Sequence, residues 1–170
     1  TDERKVIYGG DEEIMRVLSI ANEQDSLTLR STSKPIKRDM VSQDEFATLC
    51  RRMLTTVQNP ENEGVGIAAP QVGILRRVVV VDTGEGVLEL VNPELLETSG
   101  EQEGPEGCLS VPGKYGLVKR PYYAKVRAQD RDGNWYEAEG EELIARCFCH
   151  ELDHLDGIVY TEKMERFLTD

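Results

Sequence analysis

Hydrophobic positions between Phe46 and Val57 recur every three or four residues, which is the spacing of an amphipathic helix. Ser42 precedes them as a candidate N-cap, and Glu45 follows three residues later, which completes a capping box. These signals predict a helix of about four turns. It is expected to begin near Ser42 and to end at the loop NPENEG.

A second helical pattern runs from Glu141 to about Leu155. One face of this helix carries, at steps of four, three and four residues, Leu143, Cys147, His150 and His154. Gly157 follows where the end of a helix is expected. The pattern therefore places both histidines of the chain on one otherwise apolar helix face.

Strand signals lie mainly between these two helices. RRVVVVD at residues 76–82 is a β-branched run that indicates a buried strand, and VLELVNPEL contains another. YYAKVRAQD, RDGN and WYEAEG predict two strands joined by a tight turn. Residues 11–23 begin as a helix or run as an extended arm, a choice that the pattern leaves open. TEKMERFL is expected to form a short closing helix.

Several strands and a few helices, without regular βαβ alternation, predict an α+β fold. We expect antiparallel β-sheets packed around a central helix that carries the histidines. The length of 170 residues favours one domain over residues 1–170. Residues 1–15 form an N-terminal extension to which the sequence assigns no role.

Composition narrows the functional class. Hydrophobic residues make up 39% of the chain and charged residues 31%, as in a folded globular protein. The net charge of −12 disfavours nucleic acid and anionic membranes as partners. No run approaches the roughly 18 apolar residues of a membrane span, and the charged N-terminus does not look like a secretory signal. The cysteines are expected to be reduced thiols, used for packing or metal binding.

The pentapeptide HELDH carries the main candidate chemistry. Histidines four residues apart on a helix point the same way, so His150 and His154 can bind one metal ion. Glu151 then stands beside the ion and can take a proton from a bound water. Asp153 is a candidate for orienting a histidine or its neighbours. The alternative is a solvated turn of an acidic helix, which the apolar face disfavours.

A catalytic site built on two histidines lacks one ligand. The usual third ligand is a His or Glu downstream, but the tail offers Asp156, Glu162 and Glu165 and no further histidine, so the third ligand is expected upstream of the helix. The candidate is Cys108, in GPEGCLSVPG, which fits a loop that enters a strand. The alternative is a small buried hydrophobic residue, and spacing alone does not choose between the two.

The stretch GVGIAAPQVG, from Gly64 to Gly73, is rich in small residues, so its backbone can approach a ligand closely. It lacks the Lys-Ser/Thr of a phosphate-binding loop, which argues against nucleotide binding. The side-chain amide of Gln71 can donate to a developing oxyanion. The alternative is a glycine-rich turn with a surface glutamine.

Taken in order, these three stretches resemble the motifs of the peptide deformylase family. Gly-x-Gly-x-Ala-Ala-x-Gln spans Gly64 to Gln71, Glu-Gly-Cys-Leu-Ser spans Glu106 to Ser110, and His-Glu-x-Asp-His spans His150 to His154. The resemblance extends from about Val17 to about Tyr160. It implies an enzyme that removes the formyl group from N-formylmethionine at the start of new polypeptides.

The resemblance also implies roles for single residues. The implied metal ligands, with water as the fourth, are Cys108, His150 and His154. Glu151 is implied as the general base and later the acid. Gln71 and the backbone N–H of Leu109 are implied as the donors that stabilise the oxyanion.

The same resemblance implies a cofactor, partners and a location. Ferrous iron is the expected metal, with nickel, cobalt or zinc as substitutes; a His₂Cys site with an open position would by itself suggest zinc. The expected partners are N-formylmethionyl nascent chains, and the ribosome near the exit tunnel is a second candidate. Neither nucleic acid nor membrane is expected to bind directly. The expected location is the bacterial cytoplasm, with an organelle as the alternative.

Helical spacing gives candidates for the wall of a methionine pocket. Leu143, Arg146 and Cys147 share the face of His150, and Val65 of the glycine-rich stretch is expected to join them. Leu143 and Cys147 suit a thioether. Arg146 is expected to pack its stem and to turn its charge away.

An extended peptide is expected to pair with the backbone near Val65-Gly66 and Gly107, which would bind many different chains. Tyr115 stands where some family members carry an arginine near the peptide. Glu106 and Arg120 are candidates for an ion pair that orders the cysteine segment, with ordinary surface charges as the alternative.

Two other functions stay open on the sequence alone. One is a metallopeptidase built on His-Glu-x-x-His, against which a thiolate ligand from upstream argues. The other is a non-catalytic metal-binding module associated with the ribosome. A structural zinc needs a fourth protein ligand, and the nearest extra thiol, Cys149, falls on a different helix face from His150.

Overall fold

The computed structural model describes residues 2–8, 14–37, 43–59 and 65–168. The four helices of this part are α1 (Asp2–Tyr8), α2 (Glu23–Leu29), α3 (Gln43–Gln58) and α4 (Leu143–Leu155). The strands are β1 (Gly66–Ala68), β2 (Val78–Asp82), β3 (Val87–Ser99), β4 (Gln102–Cys108), β5 (Val111–Arg120), β6 (Tyr123–Gln129) and β7 (Trp135–Glu141). Short 3₁₀ turns lie at Ala69–Val72 and Tyr160–Glu162.

The position of β2 between two hydrophobic clusters explains why its sequence is apolar without alternation. Val78 and Val80 pack in one hydrophobic cluster with α3, whereas Val79 and Val81 pack in another with α4. A strand that is covered on both faces buries every side chain, and all four valines are fully buried. The predicted buried strand is therefore present.

All described strand pairs are antiparallel. β1, β2, β3, β6 and β7 form one sheet in that order, and β4 pairs with β5 in a second sheet. The predicted hairpin is β6 and β7, with Gly133 of its turn at a φ of 86°. α4 packs on the larger sheet and also contacts β5. The predicted α+β architecture, with antiparallel sheets around the histidine helix, is confirmed.

The end of α4 depends on Gly157. This residue has a φ of 77°, and its N–H donates to the carbonyl of His154 at 3.1 Å. A Cβ at this position would lie 2.5 Å from the carbonyl oxygen of Arg30. Glycine therefore permits both the left-handed turn and the close approach of the chain after α2.

The predicted helix at TEKMERFL is wrong beyond one 3₁₀ turn. Residues 163–168 instead follow β5, with Leu117 N–H donating to Arg166 O and Glu165 N–H donating to Leu117 O. The free edge of β5 offers backbone groups that need partners, and pairing with the tail satisfies them. Nothing in the local spacing of the tail encodes that distant partner.

For residues 11–23 the sequence pattern left open a helix or an extended arm, and the described part of this segment decides between them. Residues 15–19 form neither helix nor strand, and the next helix, α2, begins at Glu23 after the N-cap Asn22. In the N-terminal extension, α1 packs on α3, where Arg52 donates to the carbonyls of Val6 and Ile7.

The predicted helix α3 is present, but its proposed cap at Ser42 lies outside the described residues. No helix in the described ranges is long and apolar enough to cross a membrane.

Candidate metal centre

Three side chains converge at the inner face of α4. The Nε2 atoms of His150 and His154 are 3.2 Å apart, and Cys108 Sγ lies 3.3 Å from His154 Nε2. All three ligand atoms lie within 4.8 Å of one another. The sequence-predicted ligands are therefore together in space.

Cys108 reaches the histidines from the second sheet. It is the last residue of β4, and a two-residue turn at Leu109 and Ser110 leads into β5. Cys108 was expected in a loop that enters a strand, but it lies at the end of one. The register of β4 and β5 shifts between Gly107 and Cys108, and such a bulge re-aims a side chain.

The donor set fits a divalent metal ion. His150 Nδ1 faces a carboxylate as a donor, so in the neutral ring the Nε2 lone pair is available to a metal ion. Burial holds the pKa of His154 well below its usual range, and the neighbouring His150 adds to this effect. The two imidazole nitrogens and the sulfur lie close enough together to bind one ion jointly. Thiolate and imidazole together suit zinc and similar transition metals.

Glu106 is the partner of His150, a role that the sequence pattern did not predict. Its Oε1 accepts from His150 Nδ1 at 2.5 Å and from Arg120 at 2.6 Å. Burial alone would raise the pKa of Glu106, but the hydrogen bonds from His150 and Arg120 outweigh burial and lower it. Among the described residues the carboxylate of Asp153 has no hydrogen bond to a histidine; it binds Arg120 at 2.6 Å and Lys163 at 2.9 Å.

The ring of Tyr160 is a second contact that spacing did not predict. It stacks on His150 with centroids 6.1 Å apart and planes 28° apart, and its hydroxyl donates to Lys114 O at 3.3 Å. Tyr160 lies beyond the helix, so only the fold brings it to the imidazole. Together with Glu106, it confines His150 from two sides.

Glu151 is buried beside the ligands. Its Oε1 has no hydrogen-bond partner within the described ranges, and burial raises its pKa to about 7. The backbone of Gly66 passes so close that a Cβ there would lie 3.0 Å from Glu151 Oε2. A carboxylate without a protein partner can exchange protons with a small molecule at the site.

Gln71 has a defined orientation. Its Oε1 accepts from Ala68 N–H at 3.0 Å, so its amide nitrogen faces the site. That nitrogen lies 3.2 Å from Ser110 Oγ and 3.4 Å from Cys108 Sγ. The N–H groups of Gln71 are therefore directed at the region beside the cysteine, and the surface-glutamine alternative is wrong because Gln71 is buried.

A cavity of about 410 Å³ opens onto these groups. Among its lining residues are the five candidate substrate contacts, Val65, Gly66, Gly107, Leu143 and Cys147. Leu143 is 57% exposed and so lies at the rim, whereas Cys147 is buried. Burial raises the pKa of the Cys147 thiol, which keeps this wall uncharged.

Arg146 and Tyr115 also line the cavity, and Arg146 differs from its predicted orientation. The charge of Arg146 does not turn away: its guanidinium donates to Glu106 at 2.8 Å, inside the protein. A buried guanidinium requires such a counter-charge. Tyr115 places its ring against Gly107, where a Cβ would lie 2.8 Å from the ring.

Comparisons with known proteins agree with the site. The sequence profile of the family described as polypeptide deformylase matches residues 16–169. A peptide deformylase of Agathobacter rectalis is 60% identical over 126 residues, which cover 74% of this chain and 78% of that protein. One from Caldanaerobacter subterraneus is 52% identical over 140 residues, which cover 82% and 85%.

Solved structures agree as well. A peptide deformylase from Synechococcus elongatus in complex with actinonin superposes with a TM-score of 0.80 at 32% identity, covering 92% of this chain and 82% of that one. One from Thermotoga maritima gives 0.79 at 33% identity, covering 89% and 98%. Neither a metallopeptidase nor a non-catalytic module is favoured. The chain belongs to the polypeptide deformylase family, metal-dependent enzymes that remove the N-formyl group from the N-terminal methionine of new proteins.

Proposed function

We propose that this chain deformylates N-formylmethionyl nascent polypeptides at the cluster formed by Cys108, His150 and His154. The observation that carries this assignment is the convergence of the three ligand atoms within 4.8 Å, beside the buried carboxylate of Glu151. Cys108 comes from the sheet of β4 and β5 and completes a set of three ligands with the two histidines of α4. A fourth coordination position is then left for a small molecule.

Ferrous iron is the proposed native metal, and nickel, cobalt or zinc are proposed substitutes. When bound, a divalent ion supplies Lewis acidity, which polarises a carbonyl oxygen and acidifies water. The soft thiolate of Cys108 and the two imidazoles are compatible with all four ions. The proposed iron form would be sensitive to oxygen because ferrous iron and thiolate are both oxidisable.

Glu151 is the proposed proton carrier. Its unpartnered Oε1 accepts a proton from water as the formyl carbon is attacked, and the same oxygen then delivers it to the leaving amine. The charge that develops on the formyl oxygen is stabilised by the amide nitrogen of Gln71 and the N–H of Leu109. Gln71 is held ready for this role by the hydrogen bond from Ala68 N–H.

The proposed methionine pocket is the cavity beside Glu151. Leu143 and Cys147 provide an uncharged wall, which suits a thioether. The peptide backbone pairs with Val65-Gly66 on one side and Gly107 on the other, both of which line the cavity. Main-chain pairing gives affinity for many sequences, as an enzyme of nascent chains requires.

The setting of the reaction is part of the same proposal. Residues 1–170 act as one catalytic domain in the bacterial cytoplasm, where new chains carry formylmethionine. Placement on the ribosome near the exit tunnel would bring the enzyme to its substrate early. The net charge of −12 favours a protein or peptide surface over bare RNA for such an encounter.

The test is formate release from a formyl-Met tripeptide by protein loaded anaerobically with one ferrous or nickel ion per chain. We expect stoichiometric formate and free methionyl peptide. Inert ferrous and nickel forms would refute the assignment. Cleavage of internal bonds in casein, without formate, would instead support a metallopeptidase.

A further inference from the structure

Arg146 lies one turn before His150 on α4 and is almost fully buried. Its Nη1 donates to Glu106 Oε2 at 2.8 Å and to Val118 O at 3.3 Å. Its Nη2 lies near the backbone of Gly104, where a Cβ would be 3.5 Å away. The side chain therefore ties α4 to β4 and β5 at the carboxylate that binds the metal ligand.

The two oxygens of Glu106 have different tasks. Oε1 accepts from His150 Nδ1 and from Arg120 Nη2, and Oε2 accepts from Arg146 at 2.8 Å and from Arg120 Nε at 3.1 Å. A carboxyl group that rotates about its Cγ–Cδ bond moves both oxygens at once. Holding Oε2 therefore also holds Oε1 against the imidazole.

Arg120 cannot supply this restraint alone at the same strength, because it serves two carboxylates. It binds Glu106 through Nε and Nη2 and Asp153 through Nη1. Arg120 and Arg146 together balance the charges of Glu106 and Asp153 in the buried network. Removing Arg146 leaves one buried guanidinium between two carboxylates, with Lys163 only at the exposed side of Asp153.

Arg146 also lines the cavity that opens onto Glu151. We propose that Arg146 is a positioning residue: it fixes Glu106, and through Glu106 the imidazole of His150, while forming part of the wall of the methionine pocket. The catalytic part of this inference rests on the proposed deformylase function, but the effect on the metal ligand does not.

The experiment compares Arg146→Met and Arg146→Lys with wild type and with a matched control, Arg77→Met. Arg77 also binds α4, through Leu155 O and Asp156, but at the far end of the helix and away from Glu106. Each protein is loaded with nickel, and transfer of nickel to an excess of chelator is followed. The kcat and KM for a formyl-Met tripeptide are then measured at equal nickel content.

We expect Arg146→Met to release nickel about tenfold faster and to lose about tenfold in kcat, with a smaller change in KM. Arg146→Lys keeps the charge without the planar fork and should fall between Met and wild type. Arg77→Met should release nickel at the wild-type rate. Wild-type nickel release by Arg146→Met, or equal acceleration in Arg77→Met, would overturn the proposal.

A double-mutant cycle covers the case in which one variant folds poorly. In a Glu106→Gln background, Arg146→Lys has no carboxylate to hold, so it should add less than twofold to nickel release. Full additivity of the two changes would also overturn the proposal. If wild type releases no formate with any metal, the deformylase function fails, whereas the nickel measurements still decide the role of Arg146.

Discussion

The glycine at position 66 offers a sharp test of how closely the general base is held. A Cβ built there would lie 2.9 Å from Cys147 Sγ, 3.0 Å from Glu151 Oε2 and 3.1 Å from Glu151 Cγ. Gly66 has an ordinary negative-φ strand conformation, so Gly66→Ala adds no backbone strain. The perturbation is therefore a methyl group pressed against the carboxylate of Glu151.

The size of the effect follows from these contacts. Relief to ordinary van der Waals distance moves the Glu151 carboxylate by roughly 0.4 Å. Displacements of about 1 Å at a catalytic group cost about 10²-fold in rate, so a shift of about 0.4 Å should lower kcat by roughly 5- to 10-fold. Overpacking of this kind should also lower the free energy of unfolding by about 1–3 kcal/mol. Metal content should not change, because neither clashing residue is a proposed ligand.

The assay is formate release by nickel-loaded protein, with metal content measured on the same samples. Gly86→Ala is the control, because a Cβ at Gly86 meets nothing within 4 Å. Adding Cys147→Ala to Gly66→Ala removes the sulfur contact but not the Glu151 contacts, so kcat should stay low. Wild-type kcat in Gly66→Ala, or full recovery of kcat with Cys147→Ala, would refute the reasoning.

Three further predictions concern Glu151 and Gly157. Glu151→Gln should keep one metal per chain and lose about 10²–10⁴-fold in kcat; loss of the metal instead would contradict its role as base, and metal analysis with formate release distinguishes the two. Because burial raises the pKa of Glu151 to about 7, and a nearby cation lowers it, kcat/KM should fall on acidification with a midpoint below 7; a midpoint above about 8 in the pH profile would exclude Glu151 as this group. Gly157→Ala should lower the free energy of unfolding by about 2–4 kcal/mol, because it adds a clash with Arg30 O to the cost of its positive φ. In urea unfolding, Gly84→Ala, which has a positive φ but no close neighbour, should cost less, and equal losses would contradict the clash.

The spacing of residues predicted the features that lie within a single helix or strand. The spacing of His150 and His154 placed both on one face of α4, and the continuous valines of β2 indicated a strand covered on both sides. Both features depend on the geometry of a single element. The identity of the third ligand needed the resemblance of the motifs, because spacing left Cys108 undecided.

The features that were missed depend on contacts between distant elements. The direction of the Arg146 charge is set by Glu106, which β4 supplies from the second sheet. The tail after Glu162 forms hydrogen bonds with β5 instead of the helix that its local pattern predicted. In each case, a polar group had to be satisfied inside the fold, and the partner was specified by topology, not by local pattern.

The central claim is that Cys108, His150 and His154 together hold the catalytic ion, and X-ray absorption at the nickel edge tests it most directly. The nickel-loaded protein should show one sulfur and two imidazole nitrogens, and the sulfur signal should disappear in Cys108→Ala. A spectrum without sulfur in the wild-type protein, or with sulfur retained in Cys108→Ala, would contradict the account.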